Sequence, residues 1–284
     1  MTDEFPGARS HFDAGAGSSG SNPAAPPFLA PCRRLNLGAP LVWLRLGWND
    51  LTAAPWQSTF YGLLLAVLGA IVALLTWRLG LLALYVGLAS GFVFVGPLLA
   101  MGFYAISYQR ECGRDPTWAF SFGAARAYLR DTLVVGVCLL VVLLVWARAA
   151  MIMSVFRPSD AFPTWRDLIP YLSIGTVVGA FFCAIVFSAT AFSLPMLLDR
   201  RADAVTAVVT SVNASLRNKA VMLLWGTLIV TAVMIGFATL FLGFIVLLPL
   251  IGHATWHAYR QTIDAAGWPP KHPQLPSAVL YKPS

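Results

Sequence analysis

Residues 220–259 run forty positions without a single Asp, Glu, Lys or Arg. At 1.5 Å per residue an unbroken helix of that length would reach about 60 Å, roughly twice the hydrocarbon thickness of a bilayer. An aqueous surface cannot carry such a run and one crossing cannot absorb it, so it reads as two crossings joined by a tight turn. Charge also vanishes from residues 51–77, 79–109 and 168–198, and Arg148 alone interrupts residues 132–156. Each run is long enough to span. Hydrophobic residues make up 58% of the chain and charged residues 11%, with a mean hydropathy of +0.73; an average soluble domain carries about 25% charge.

The expected fold class is all-α, a polytopic helical membrane protein with about six transmembrane helices in three hairpins. The crossings are expected at residues 56–77, 81–108, 133–155, 169–198, 221–238 and 240–257. Before them, residues 1–40 read as a disordered tail: Gly15 to Ser21 is Gly-Ala-Gly-Ser-Ser-Gly-Ser, followed by Pro23, Pro26 and Pro27. Such composition buries too little apolar surface to offset the entropy of ordering. No basic start with an apolar core marks a secretory signal there. Residues 261–284 read as a second, proline-rich tail.

Fifteen of the nineteen Lys and Arg residues fall before the first crossing, after the last, or in the second and fourth connections, against Arg78, Arg148, Arg157 and Arg166 on the other side. Cytoplasmic loops accumulate Lys and Arg, so both termini are expected in the cytoplasm. The net charge of +7 is then a topology signal. Nucleic acid is not an expected partner, because no basic cluster is interleaved with stacking aromatics. The four cysteines, Cys32, Cys112, Cys138 and Cys183, form no close pair and read as small packing residues.

Three segments share a plan: a short amphipathic stretch, a crossing, and a second crossing that carries a proline. The amphipathic stretches are residues 41–51, with Leu41, Leu44, Trp48 and Leu51 at helical spacing; 118–129, with Trp118, Phe122, Ala125 and Leu129; and 205–216, with Val205, Val208, Val209, Val212 and Leu216. The expected arrangement is an internal repeat in which a cytoplasmic interfacial helix precedes each hairpin. Pro97, Pro195 and Pro249 are the matching kinks, since proline removes one backbone hydrogen bond. Gly87 with Gly91, and Gly175 with Gly179, have the Gly-x-x-x-Gly spacing that lets helix backbones approach. They are expected to mark helix contacts.

His253 and His257 are four residues apart and share one helical face, the spacing of helical metal sites. No Glu lies between them as in His-Glu-x-x-His, and no third ligand is evident, so no metal or cofactor is expected. With Trp256 and Tyr259 they read instead as a polar-aromatic belt at the membrane interface. No Gly-x-Ser-x-Gly elbow, phosphate loop or carboxylate cluster is present, so no catalytic residue is nominated. No Asp or Glu lies inside an expected crossing, which counts against proton-coupled transport.

The stretch Gly96-Pro97-Leu98-Leu99-Ala100-Met101-Gly102-Phe103-Tyr104, the exit Pro195-Met196-Leu197-Leu198-Asp199-Arg200 and the closing Gly252-His253-Ala254-Thr255-Trp256-His257-Ala258-Tyr259-Arg260 follow in order. In these the chain resembles, over residues 41–260, the bacterial predicted integral membrane proteins of domain of unknown function 2189. The resemblance implies a bacterial inner-membrane protein and carries no activity, substrate or cofactor. More loosely, the pattern is similar to the membrane domains attached to some bacterial glycerophosphodiester phosphodiesterases, whose catalytic domain has no counterpart here. The functional expectation is a non-enzymatic accessory, assembly or scaffolding protein whose partners are membrane lipid or a membrane-complex protein. The alternatives are a permease or channel for a small neutral or anionic solute and, more weakly, a haem- or metal-associated redox accessory.

Overall fold

The computed structural model describes residues 28–78, 96–156 and 164–272. Nine α-helices are formed by the described residues: α1 (Ala39–Ala53), α2 (Pro55–Arg78), α3 (Met101–Glu111), α4 (Trp118–Met153), α5 (Trp165–Thr190), α6 (Ser193–Asp199), α7 (Ala204–Arg217), α8 (Lys219–Ala238) and α9 (Phe244–Thr262). A helical turn at residues 96–99 precedes α3, and a 3-10 turn, Ser154–Phe156, follows α4. Two starts are capped by acids. Asp203 accepts from the Thr206 amide ahead of α7, and Asp167 accepts from both the amide and the hydroxyl of Thr164 ahead of α5. Each satisfies donors that the first helical turn leaves free.

Four segments are long and apolar enough to cross a membrane: Pro55–Arg78, Arg130–Met153, Trp165–Asp199 and Lys219–Ala238. They correspond to the first, third, fourth and fifth expected crossings. The second lies largely outside the described residues, as do Gly87 and Gly91. The sixth corresponds to α9, which is not among the four: its second half carries His253, Thr255, His257, Arg260 and Gln261 and is mostly buried in the protein. The tight turn expected between the last two helices is present at residues 239–243. Leu240 and Phe241 there adopt positive φ of 53° and 71°, and the Gly243 amide donates to Thr239 Oγ1.

The expected interfacial stretch at residues 118–129 and the crossing after it are one continuous helix, the thirty-six-residue α4. Nothing between Leu129 and Leu133 breaks helical geometry, because Arg130, Asp131 and Thr132 are all tolerated in a helix interior. Prolines have three different effects. At Pro195 the chain breaks between α5 and α6, and the Phe192 amide donates to Ser211 Oγ instead. Pro249 stays inside α9 but cannot donate to the Ile245 carbonyl. Gly62 of α2 lies against that freed carbonyl, since a Cβ there would stand 2.6 Å from Ile245 O and 2.8 Å from Pro249 Cγ. Near Pro97 the helix is interrupted at Ala100, and the Tyr61 hydroxyl donates to the Leu99 carbonyl at 2.7 Å.

Packing runs from each hairpin to the next. Helix α3 packs on α4, α5 and α6 pack on α7, and α9 packs on α1 and α2. At the centre α3, α6 and α9 all touch one another. Gly47 of α1 permits a close backbone approach to α9: a Cβ there would lie 2.7 Å from Ala254 N and 2.8 Å from Leu250 O. A Cβ on Gly175 or Gly179 meets nothing within 4 Å. Among the described residues no neighbour comes that close to Gly175 or Gly179; close contacts are made at other glycines, among them Gly47, Gly62 and Gly252, the last against Phe103.

Parts of both expected tails are bonded to the helices. Arg33 N donates to Thr262 O, Asp264 N to Pro31 O, and the Asn218 side chain holds Leu35 N and Arg33 O. At the other end Arg201 N donates to Pro269 O and Lys271 N to Asp199 O, with Trp268 buried. Residues flanking the first and last helices therefore lie side by side on one face of the bundle.

Candidate functional site: a buried polar junction of three helices

The face that carries both flanking segments is also where α3, α6 and α9 end. Each of these helices places a charged residue at its last turn: Glu111, Asp199 and Arg260. Arg260 donates to Glu111 Oε1 at 2.9 Å and to Asp199 Oδ2 at 3.2 Å. Asp199 also accepts from the Tyr259 hydroxyl at 2.8 Å and from Arg200 Nε at 3.0 Å, while Glu111 Oε2 accepts from Trp256 Nε1 at 2.8 Å. One arginine thus ties together the three helices at the centre.

Burial costs the Arg260 guanidinium its hydration, and the Glu111 and Asp199 carboxylates beside it offset that cost, while the Tyr259 hydroxyl donates to Asp199.

Further along α9 lie the two histidines singled out from the sequence. His253 is fully buried, with Nε2 at 2.9 Å from Ser58 Oγ of α2 and Nδ1 at 2.8 Å from Ser107 Oγ of α3. His257 Nε2 lies 2.9 Å from Asp50 Oδ2 of α1. Burial works to raise the Asp50 pKa, but the hydrogen bond and charge of His257, with Ser107 contributing, hold it below the ordinary carboxylate value. The two imidazoles share a helix face but serve different partners. Among the described residues no three His, Cys, Asp or Glu side chains converge as metal ligands.

The expected interfacial belt is corrected here. Trp256 and Tyr259 are wholly buried, as is His253, and Tyr108 packs edge-on to Trp256. The reason is that the second half of α9 meets α1, α2, α3 and α6, through Asp50, Ser58, Ser107, Glu111 and Asp199. Trp43 of α1 completes this region, packing edge-on against Trp225 of α8 and donating through Nε1 to Gln261.

Of the residues marked in the sequence, His253, His257, Pro249 and Pro195 lie on the two helices α9 and α6 that build the junction, and Pro97 lies in the helical turn ahead of α3. Asp50, Ser58, Ser107, Glu111, Asp199 and Arg260 were not singled out as a group. One signal was available: Asp50 and Asp199 directly border charge-free runs, and Glu111 follows Arg110, which ends another. An acid at the membrane boundary needs a partner or water, and each of these found a partner inside the protein.

Residues 84–199 match the family model described as predicted integral membrane protein, domain of unknown function 2189, the same family that the sequence motifs resemble. The match includes the Gly96 and Pro195 motifs and ends at Asp199, so α7, α8 and α9 lie beyond it. No curated protein and no solved structure matches the chain.

Proposed function

We propose that this protein is a non-enzymatic component of the bacterial inner membrane, an accessory, assembly or scaffolding subunit that contacts a membrane complex or lipid. In this reading the chain makes six crossings in three hairpins, the second crossing running through residues 81–108 and the sixth being α9. Both termini lie in the cytoplasm, as the distribution of Lys and Arg favours. The hairpins form an internal repeat closed into a ring. Its support is the packing order, in which the returning helix of each unit packs on the leading helix of the next and α9 packs back on α1.

The observation that carries the reading is the Arg260–Glu111–Asp199 junction. Its charged groups satisfy one another at the meeting point of the central helices, where a conduit or a catalytic cleft would need groups turned toward a solute. Trp43, Trp225, Trp256, Tyr259 and Phe103 fill the surrounding space. A permease is favoured less for the same reason: the kinked helices meet through packed aromatic rings. A redox role is favoured less because both ring nitrogens of His253 are occupied by serine hydroxyls.

Affinity purification of the full chain in mild detergent, followed by protein and lipid identification, tests this reading. A reproducible stoichiometric protein or a retained lipid class is the expected result. Purification of monomer alone, together with solute flux in reconstituted liposomes, would overturn it.

A further inference from the structure

Helix α7 is packed inside out. Its hydroxyl and small residues Thr206, Ala207, Thr210, Ser211, Ala214 and Ser215 are buried against the bundle. Ser211 Oγ donates to Ser188 O and accepts from the Phe192 amide, and Thr210 Oγ1 accepts from the Ala30 amide. Outward instead are Val205, Val209 and Leu216, which are 58%, 38% and 57% exposed. In water this arrangement would be the wrong way round, because the apolar stripe of a helix is the face that gains by burial.

The neighbouring helix identifies what covers that stripe. Asn218 joins α7 directly to α8, whose first residue is Lys219 and which is long and apolar enough to cross a membrane. Leu223, in the second turn of α8, is 74% exposed, as the lipid side of a crossing would be. The C-terminal end of α7 is therefore held at the level where a crossing begins. Arg201, Arg217 and Lys219 flank the stripe and are exposed. Of the carboxylates nearest in sequence, Asp203 accepts from the Thr206 amide, and Asp199 is buried in the junction. Helix α1 has a comparable outward face, with Leu41, Trp48 and Arg45 exposed just before α2 begins.

We propose that α7 lies in the headgroup layer of the leaflet from which α8 departs. Val205, Val209 and Leu216 sit at the acyl boundary, and Arg201, Arg217 and Lys219 contact the phosphates of anionic phospholipids. Amphipathic helices of this kind bury their apolar face about 5–10 Å into that boundary. The proposal deepens the scaffold reading by naming lipid as the partner of this surface.

The test uses the full chain carrying a photoreactive benzoylphenylalanine at Val209 or at Leu216, both exposed sites. The protein is reconstituted in vesicles of phosphatidylethanolamine with a minor share of phosphatidylglycerol, irradiated, and its adducts are identified by mass. The expected result is phospholipid adducts at both positions, enriched in phosphatidylglycerol. In the Arg217→Gln, Lys219→Gln double variant that enrichment should fall roughly fivefold for each cation removed. Absence of lipid adducts at both positions, or an enrichment unchanged in the double variant, would overturn the proposal. So would a polypeptide adduct at Val209 in irradiated native membranes, but that result would leave the scaffold reading standing. The converse failure, a lipid adduct from a chain that purifies without partners and conducts solute, would remove the scaffold and leave α7 at the lipid.

Discussion

Arg260 of α9 lies 2.9 Å from Glu111 of α3, although 149 residues separate them in the chain. Both side chains are largely buried, and the same guanidinium reaches Asp199. Replacing Arg260 with Ala leaves the buried Glu111 without its cation and Asp199 with Arg200 alone. The expected loss of stability is about 3–5 kcal/mol, the usual range for breaking a buried pair from one side. Glu111→Gln keeps an acceptor for Trp256 and should cost clearly less. Thermal melting of the two variants in the same detergent checks the order, and equal losses would show that Arg260 does not join the helices through charge.

His253 should depend on two serines at once. Ser58→Ala or Ser107→Ala each leaves one ring nitrogen buried without a partner, at an expected cost of about 1–3 kcal/mol. Because both bonds end on one imidazole, the double variant should depart from the sum of the singles. A double-mutant cycle measured by denaturant or thermal unfolding reads this directly, and strict additivity would count against a shared imidazole.

Acid should weaken the contact between α1 and α9. Asp50 is held below its ordinary value in the folded protein by His257, so the folded state binds this proton less readily than the unfolded chain. Its contribution is complete above about pH 4, the unfolded carboxylate value, and is lost as pH falls through the depressed folded value. Asp50→Asn should flatten that acid limb while leaving the slope above neutrality unchanged. Melting midpoints followed from neutral pH into the acid range test it, and an identical acid limb in the variant would refute the assignment.

Glycines should divide by what they touch. Gly47→Ala places a methyl against the backbone of α9 at Ala254 N and Leu250 O, and rigid backbone cannot yield as a side chain can. Destabilisation of about 1–3 kcal/mol is expected, as for an overpacked core. Gly175→Ala meets open space and should be neutral or stabilising by roughly 0.5–1 kcal/mol, the helix-interior preference of Ala over Gly. Comparing the melting midpoints of the two variants separates a packing glycine from an idle one.

The turn between α8 and α9 stores strain at Leu240, which holds φ of 53° and is exposed. A left-handed backbone costs an L-residue roughly 1–2 kcal/mol that glycine does not incur. Leu240→Gly is therefore expected to raise stability by about 1 kcal/mol. Thermal or denaturant unfolding gives the sign, and a loss would mean that the leucine side chain contributes more than its backbone costs.

Much of this architecture was readable along the chain. Charge-free runs located the four helices that can cross a membrane, because crossing depends on local composition over about twenty residues. The Asp203 cap and the tight turn before α9 were equally local. Periodicity also found the stripe of valines on α7 and read that helix as interfacial. What it could not show is the opposite face, whose hydroxyls bond to Ser188, Phe192 and Ala30. For Gly175 and Gly179 the spacing permits a helix contact, but no atom of the described residues lies within 4 Å of a Cβ there.

The sequence alone determined the solvent of this protein, its helical class and the runs that can cross a membrane, all properties set by composition over about twenty residues. Only the tertiary structure decided that Asp50, Ser58, Ser107, Glu111 and Asp199 would converge on one helix carrying His253, His257 and Arg260. Those partners come from helices as much as 207 residues away. A buried polar group is satisfied by whatever donor or acceptor packing brings within about 3 Å, and that choice is made by the fold as a whole.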